Sequence, residues 1–172
     1  SLSTADDAVE LFTDRARCVR PDFTVTEESI ATVTEICRRL DGMPLAIELA
    51  AARVRALSLG DILDGLHDRF RLLTGGARTS MRRQQTLRAS VDWSYALLSE
   101  SERNLFRRLA VFRGGFDLEA AHVVAAGTDV ERYDVLDEIT LLVDKSLVVA
   151  EQSRGHARYR LLETVRQYAL ER

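Results

Sequence analysis

The chain has 172 residues, of which 46% are hydrophobic and 30% charged, enough apolar side chains for one large domain or two small ones. Its formal net charge of −3 excludes an overall electrostatic attraction to nucleic acid or to an anionic membrane, so either role needs a local basic patch. No segment has the ~18 to 20 consecutive apolar residues of a membrane span, and we expect a cytoplasmic protein without a membrane partner.

The start of the chain and its two cysteines indicate which part of a protein this is and the compartment in which it folds. SLSTADDAVE has neither an initiator Met nor a signal sequence, so we expect the chain to begin inside a longer protein or on residues added by cloning. Cys18 and Cys37 fall in predicted helices among apolar neighbours. This pattern indicates two buried thiols in a reducing compartment rather than a disulfide framework.

Two helices are predicted over the first 42 residues. Apolar side chains at helical spacing predict the first over residues 5–19, closed off by Pro21. The second follows Thr24 or Thr26, either of which can act as its N-cap. It ends at Gly42, which can take the left-handed conformation at a helix C-terminus.

The next two helices complete a predicted four-helix bundle. Pro44 stands where a helix tolerates proline best, in the first turn, and residues 45–57 follow with almost no polar face. We therefore expect this third helix to lie centrally in the bundle. Ser58 caps a fourth helix over residues 59–73.

A Gly-, Ser-, Thr- and Arg-rich stretch without periodicity then predicts a domain boundary. We divide the chain into a helical bundle at 1–76, an Arg-rich linker at 77–84 and a second domain at 85–172. Between residues 69 and 88 there is no acid, and the six cations are Arg69, Arg71, Arg78, Arg82, Arg83 and Arg88. They form either a solvated linker or a contact with an acidic surface or a phosphate; for the second role the candidates are Arg82, Arg83 and Arg88.

The second domain is predicted to be a winged helix. Ser99 and Glu102 have the spacing of a capping box between two helices. Two more helices, a β-hairpin and a closing helix follow, at residues 116–127, 130–145, 146–153 with 157–162, and 163–172. The expected fold class is therefore mainly α, a four-helix bundle followed by a winged helix with a small β-hairpin.

No complete active site is visible in the sequence. His67, His122 and His156 are isolated and lack metal-ligand spacing, which favours packing roles. No phosphate loop of the Gly-xxxx-Gly-Lys-Ser/Thr type is present. We expect a protein segment that is not an enzyme and holds no cofactor or metal by itself.

Direct DNA binding is disfavoured by the charge of the helix before the hairpin, which winged helices often place in the major groove. Its only cations are Arg132 and Lys145, and its six acids are Asp129, Glu131, Asp134, Asp137, Glu138 and Asp144. Phosphates would repel such a surface.

Three separated blocks carry a family resemblance: LDGMPLAIELAAAR, RQQTLRASVDWSYALLSESERNLFRRLAVFRGGFDLEAA and RYRLLETVRQYALER. The first resembles the GLPL region of NB-ARC modules, the nucleotide switches of STAND ATPases. The other two closely resemble bacterial transcription regulators of the LuxR and AfsR type. In such proteins an ARC bundle and a winged helix follow a P-loop domain and close over its ADP or ATP and Mg²⁺, and the activated protein self-associates.

The resemblance also implies site residues. Gly42, Pro44 and Leu45 would lie on the adenine side of the nucleotide. The Met-His-Asp motif of the family falls on Leu161, Leu162 and Glu163, so only the acid is kept, in a longer form. Because leucine cannot donate a hydrogen bond, the diphosphate contact of that motif is missing here. Glu163 either holds a neighbouring domain or favours the helix N-terminus, and both readings stay open.

The sequence therefore indicates a regulatory fragment of a STAND signal-transduction ATPase, whose main partner is a P-loop domain outside these residues. The alternative is a winged-helix transcription regulator that binds DNA directly. A protein-interaction module unrelated to nucleotide is a third class. The acidic helix argues against the second reading, and the GMPL block argues against the third.

Overall fold

The computed structural model describes residues 5–70, 79–125, 131–153 and 155–172. These residues are mainly helical, with one two-stranded sheet, so the predicted fold class is confirmed. The chain forms two compact units, Ser1–Trp93 and Ser94–Arg172. The domain ranges expected from composition stay a prediction; within the expected linker, residues 79–84 are helical and 77–78 lie outside the described residues.

The first unit is built from helices. They are α1 Ala5–Val19, α2 Ile30–Arg39, α3 Pro44–Ala51, a 3₁₀ turn Ala52–Arg55, α4 Leu59–Phe70 and α5 Thr79–Ala96, of which Ser94–Ala96 belong to the second unit. The bounds of α1 and the start of α3 on Pro44 are as predicted. Ser58 also caps α4 as expected, since its Oγ accepts from the Asp61 amide at 3.1 Å.

Helix α2 begins at Ile30, later than the sequence pattern indicated. Thr24 does not cap it, whereas Thr26 caps the turn that leads into it, since Thr26 Oγ1 accepts from the Ser29 amide at 3.3 Å. Ser29, the residue before the helix, returns the bond, because its hydroxyl accepts from the Thr26 amide at 2.8 Å, and the Thr26 carbonyl accepts from the Ile30 amide at 2.9 Å. The two bonds between Thr26 and Ser29 have the reciprocal pattern of a capping box, placed one turn before the helix. Residues 27–29 are therefore a turn rather than helix.

The end of α2 is a Schellman motif in which two successive residues are left-handed. The Asp41 amide donates to the Arg38 carbonyl, and the Gly42 amide donates to the Cys37 carbonyl, both at 3.1 Å. Asp41 has φ 53° and Gly42 φ 60°, so Gly42 is left-handed as predicted. Asp41, a residue type that tolerates this conformation, shares the reversal.

The core of the first unit surrounds α3. Five of the eight α3 residues are buried, as expected for a helix without a polar face: Ala46, Ile47, Leu49, Ala50 and Ala51. Helix α1 packs against α3 and α2, and α2 packs against α4. Trp93 of α5 closes this core; a Cβ added at Gly65 would lie 3.2 Å from its ring. Helix α4 thus approaches the indole closely because position 65 has no side chain.

The two cysteines have different environments. Cys37 is buried and its thiol donates to the Ala8 carbonyl at 3.4 Å, and burial raises its pKa to about 11. Cys18 is exposed, so the expectation of two buried thiols is wrong for this residue. The buried face of α1 carries Ala8, Phe12 and Ala16, and Cys18 lies two residues past Ala16, off that face.

The second unit has the element order of a winged helix. Its elements are α6 Glu100–Leu109, α7 Leu118–Ala125, α8 Arg132–Asp144, β1 Val149–Ser153, β2 His156–Arg160 and α9 Glu163–Leu170. Strands β1 and β2 are antiparallel, with Val149 opposite Arg160 and Ser153 opposite His156. On the far side of β2, Phe116 forms an isolated bridge with Tyr159. The predicted hairpin and closing helix are present.

The capping box predicted for α6 is present and reaches further than expected. Ser99 Oγ accepts from the Glu102 amide at 3.2 Å, and the Glu102 carboxylate accepts from the Ser99 amide at 2.7 Å. The other oxygen of Glu102 accepts from Lys145 Nζ, and the Glu102 residue is only 3% exposed. This nearly buried carboxylate connects the start of α6 to the end of α8.

Glu102→Ala should therefore lower the free energy of unfolding by roughly 2–4 kcal/mol, because it removes a cap and leaves Lys145 without its buried partner. Glu100→Ala is the matched control; it removes an acid from the same helical turn whose side chain is 72% exposed and should cost less than about 1 kcal/mol. Urea unfolding followed by circular dichroism measures both. Equal losses for the two variants would show that the Glu102 network contributes nothing special.

Candidate functional site

The turn between α2 and α3 holds the residues that the resemblance places beside adenine. Met43 is the extended N-cap of α3 and Pro44 is its first residue. Pro44 is exposed, whereas Gly42 and Leu45 are half-buried. The three residues thus form one short rigid segment with an apolar ring at the surface. Their assignment to a nucleotide stays a prediction.

A side chain from another helix fixes this turn. Thr86 of α5 is 4% exposed, and its hydroxyl donates to Asp41 Oδ2 at 3.2 Å. Asp41 also takes part in the cap of α2. Sequence reasoning did not find this contact, because residues 41 and 86 are far apart in the chain and neither carries a recognisable motif.

The segment expected at the Met-His-Asp position begins α9. Leu161 is buried at 8% exposure, and Leu162 is the N-cap, whose carbonyl accepts from the Arg166 amide at 2.8 Å. Glu163 accepts two hydrogen bonds of 2.8 Å from Arg166, and Gln167 donates to it at 3.1 Å. These bonds, with that from Arg166 the strongest, lower the pKa of Glu163 to about 2.

Arg166 links Glu163 to the rest of the second unit. Its side chain is 13% exposed, and Nη1 donates to the Ala110 carbonyl at the end of α6 at 3.2 Å. Glu163 therefore has a partner within its own helix. A contact of Glu163 with another domain stays a prediction.

The predicted arginine site is described only in part. The side chains of Arg82 and Arg83 lie outside the described residues, although both positions belong to α5. Arg88 is exposed on the same helix. Their role in binding an anion or another domain stays a prediction.

Helix α8 presents an acidic and apolar surface. Tyr133 is 78% and Leu141 40% exposed, and Asp134 and Asp137 are exposed beside them. Arg132 forms an ion pair with Glu119 of α7 at 3.6 Å, and Lys145 binds Glu102. Both cations of this helix segment are thus paired with acids, which weakens any attraction to phosphate.

The isolated histidines form no metal site within the part of the chain that the structure describes. His67 Nδ1 lies 2.9 Å from Arg39 Nη1, and no group of three or more His, Cys, Asp or Glu residues is placed to hold a metal ion among the described residues. In the same residues no helix is both long and apolar enough to cross a membrane.

Residues 98–172 match the family model of the winged helix-turn-helix domain. This part of the chain is a winged helix-turn-helix domain. The match covers α6 to α9 and the hairpin, in agreement with the geometry of the second unit.

Two mycobacterial relatives resemble the whole chain. The protein named "Putative HTH-type transcriptional regulator Rv0890c" of Mycobacterium tuberculosis is 64% identical over 172 residues, which are 100% of this chain and 20% of that protein. "Uncharacterized protein Rv0894" of the same organism is 59% identical, covering 99% of this chain and 44% of that protein. The chain thus spans about a fifth of one relative and less than half of the other. The resemblance to STAND ATPases stays a prediction.

Arg166→Met should move the titration midpoint of Glu163 from about 2 upward toward roughly 4.3, the ordinary value for glutamate, because the main hydrogen-bond donor is removed. Carbon-13 NMR of the Glu163 carboxyl measures the midpoint, and Gln167→Ala, which removes the weaker donor, should move it less. Since the folded pKa is depressed, the pair stabilises the fold above the unfolded pKa and loses this effect as pH falls toward 2. A wild-type midpoint near the ordinary value would contradict the arrangement.

Proposed function

We propose that this chain is a regulatory segment of a bacterial transcription regulator and that its winged helix contacts protein rather than duplex DNA. The name of the 64% identical relative supports the regulatory class. The observation that carries the choice of partner is the surface of α8, where Tyr133, Asp134, Asp137 and Leu141 are exposed.

The charge of α8 argues against a place in the major groove. Affinity for duplex DNA depends on cations that neutralise phosphates and release counterions. Arg132 and Lys145 are paired with Glu119 and Glu102, so binding phosphate would require these ion pairs to break. An exposed aromatic ring and a leucine beside acids are instead suited to a protein surface.

Direct DNA binding is the second candidate, because the family of residues 98–172 is defined by a winged helix-turn-helix and the relative is named as an HTH-type regulator. Its cations would have to come from outside α8. In the hairpin, Arg158 is exposed but donates to the Gly115 carbonyl at 2.8 Å, and Arg160 binds Glu151.

Fluorescence anisotropy with labelled random and promoter duplexes at physiological salt separates the two candidates. We expect no saturable binding by the 172-residue chain up to about 10 μM, well within the range where nonspecific DNA binders respond. The double variant Asp134→Lys, Asp137→Lys is the positive control and should gain salt-sensitive binding. Micromolar binding by the wild type that weakens in Arg158→Ala would put direct DNA recognition first.

For the complete regulator we propose a nucleotide switch, in which this chain closes over ADP or ATP held with Mg²⁺ by a P-loop domain outside residues 1–172. The resemblance of the GMPL block supports this, as does the exposure of Pro44, whose ring offers an apolar surface to a base. Leu162, at the position of the family's histidine, offers the phosphates no side-chain donor. They would have to be held by the P-loop domain, and self-association would follow opening.

The nucleotide proposal predicts different results for the fragment and the complete protein. By calorimetry, the 172-residue chain should show no submicromolar affinity for ADP or ATP, because it lacks a phosphate loop. Pro44→Ala should change the stability of the chain by less than about 1 kcal/mol, since alanine also suits a first helical turn. In the complete protein the same variant should retain less copurified nucleotide.

Met43→Ala, at the neighbouring half-buried N-cap position, is the control for a general disturbance of the turn. Unchanged nucleotide content in Pro44→Ala would remove Pro44 from the adenine site. Tight binding of ADP or ATP by the 172-residue chain alone would contradict the proposal that a P-loop domain holds the phosphates.

A further inference from the structure

A cavity of about 370 Å³ opens within the winged helix, beside the outer edge of β2. Its walls come from the start of α7, the first half of α8 and the strand itself, and include Leu118, Glu119, Arg132, Leu136, Ala157 and Tyr159. Nothing in the nucleotide or DNA proposals uses these residues as a group.

The backbone of β2 has an open position at this cavity. Tyr159 exchanges two hydrogen bonds of 2.8 Å with Phe116 on the side facing away from β1. Residues two apart on a strand direct their backbone groups to the same side, so the N–H and C=O of Ala157 also face away from β1. Neither group makes a hydrogen bond to another described residue. Such an edge is a template for one more strand.

The side chains of the cavity combine an apolar wall with negative charge. Leu118 and Leu136 are half-buried and line it. Asp117 and Glu119 contribute two carboxylates, of which Asp117 accepts from the Ala120 amide through one oxygen. The lining also includes Arg132, which pairs with Glu119, and His156. An arginine or lysine suits this combination, because its stem covers apolar surface while its head meets carboxylates.

Tyr159 gives the cavity a further polar group. The residue is 8% exposed, lines the cavity and makes no side-chain hydrogen bond to the described residues. Its hydroxyl is not one of the fully buried, unpartnered polar atoms of the described residues, so it is free to donate to a carbonyl of a bound chain.

We propose that this edge binds an extended basic peptide segment of a partner protein. The peptide backbone pairs with Ala157, next to the bridge that Phe116 forms, and a lysine or arginine side chain enters the cavity toward Glu119 and Asp117. The acidic surface of α8 adds to the attraction through Asp134 and Asp137. This docking requires neither nucleotide nor DNA.

The test is an NMR titration of the nitrogen-15-labelled 172-residue chain with the capped peptide Thr-Val-Arg-Val-Thr, with Thr-Val-Glu-Val-Thr as the charge control. The arginine peptide should shift the amide signals of Ala157, Tyr159 and Leu118 in a saturable manner. The glutamate peptide should bind at least about tenfold more weakly, because its carboxylate meets Asp117 and Glu119.

Two variants with matched controls test the contacts. Ala157→Pro removes the free N–H at an outward-facing edge position, where a strand tolerates proline. This variant should bind the arginine peptide at least about fivefold more weakly. Gln152→Pro is its control, since Gln152 lies opposite Ala157 and its own backbone groups face away from β2.

Glu119→Gln tests the charge contact. It should also weaken binding of the arginine peptide but leave binding of the peptide Thr-Val-Val-Val-Thr unaffected. Its control is Glu138→Gln, which changes an acid outside the cavity and should alter the binding of neither peptide.

Wild-type affinity in Ala157→Pro with the hairpin signals intact would overturn the proposal, as would equal binding of the arginine and glutamate peptides. If proline at position 157 disturbs the hairpin, the result for Glu119→Gln tests the proposal instead, because this substitution leaves the backbone unchanged. A shift of the same amides by short duplex DNA but not by peptide would reassign the edge to nucleic acid.

Discussion

The winged helix depends on one nearly buried carboxylate. Glu102 accepts from the Ser99 amide at the start of α6 and from Lys145 at the end of α8, so two helices distant in sequence share one charged group. A carboxylate at 3% exposure is stable only when its oxygens are bound in this way. Lys145 is also the only lysine in the chain, and its ammonium group is bound to Glu102 rather than directed to a partner molecule.

The ion pairs of Lys145 and Arg132 determine which charges α8 leaves exposed on the winged helix. With Lys145 bound to Glu102 and Arg132 to Glu119, helix α8 exposes acids and apolar side chains. Residues 98–172 match the winged helix-turn-helix family, and the described part of α8 carries no cation without an acidic partner. The fold identifies the architecture, and the proposal of a protein partner rests on the charges of α8 rather than on the fold.

The first unit is organised around the packing of α3, a helix with almost no polar face. Helix α3 is buried along most of its length, so its start must be set by the turn before it. The left-handed pair Asp41 and Gly42 ends α2, and Thr86 holds Asp41 from α5. The exposed ring of Pro44 follows this turn directly, at the first position of α3.

Local chemistry in the sequence determined the elements whose signals lie within a few residues. The periodicity of α1, the proline start of α3 and the capping box of α6 were all predicted, because caps and helix faces depend on neighbours in the chain. The winged-helix order and the acidity of α8 could be predicted in the same way. The first residue of α2 was predicted too early, although Thr26 does cap the turn that precedes the helix.

Only the tertiary structure decided which side chains are buried or bound across elements. It exposed Cys18 while burying Cys37. It joined Arg166 to the Ala110 carbonyl and brought Thr86 to Asp41. It also left the backbone of Ala157 open beside a cavity, a property of the strand pairing that no residue type signals. The physical reason is that caps and periodicity are short-range, whereas burial, ion pairing and a free strand edge depend on residues that meet only after the chain has folded.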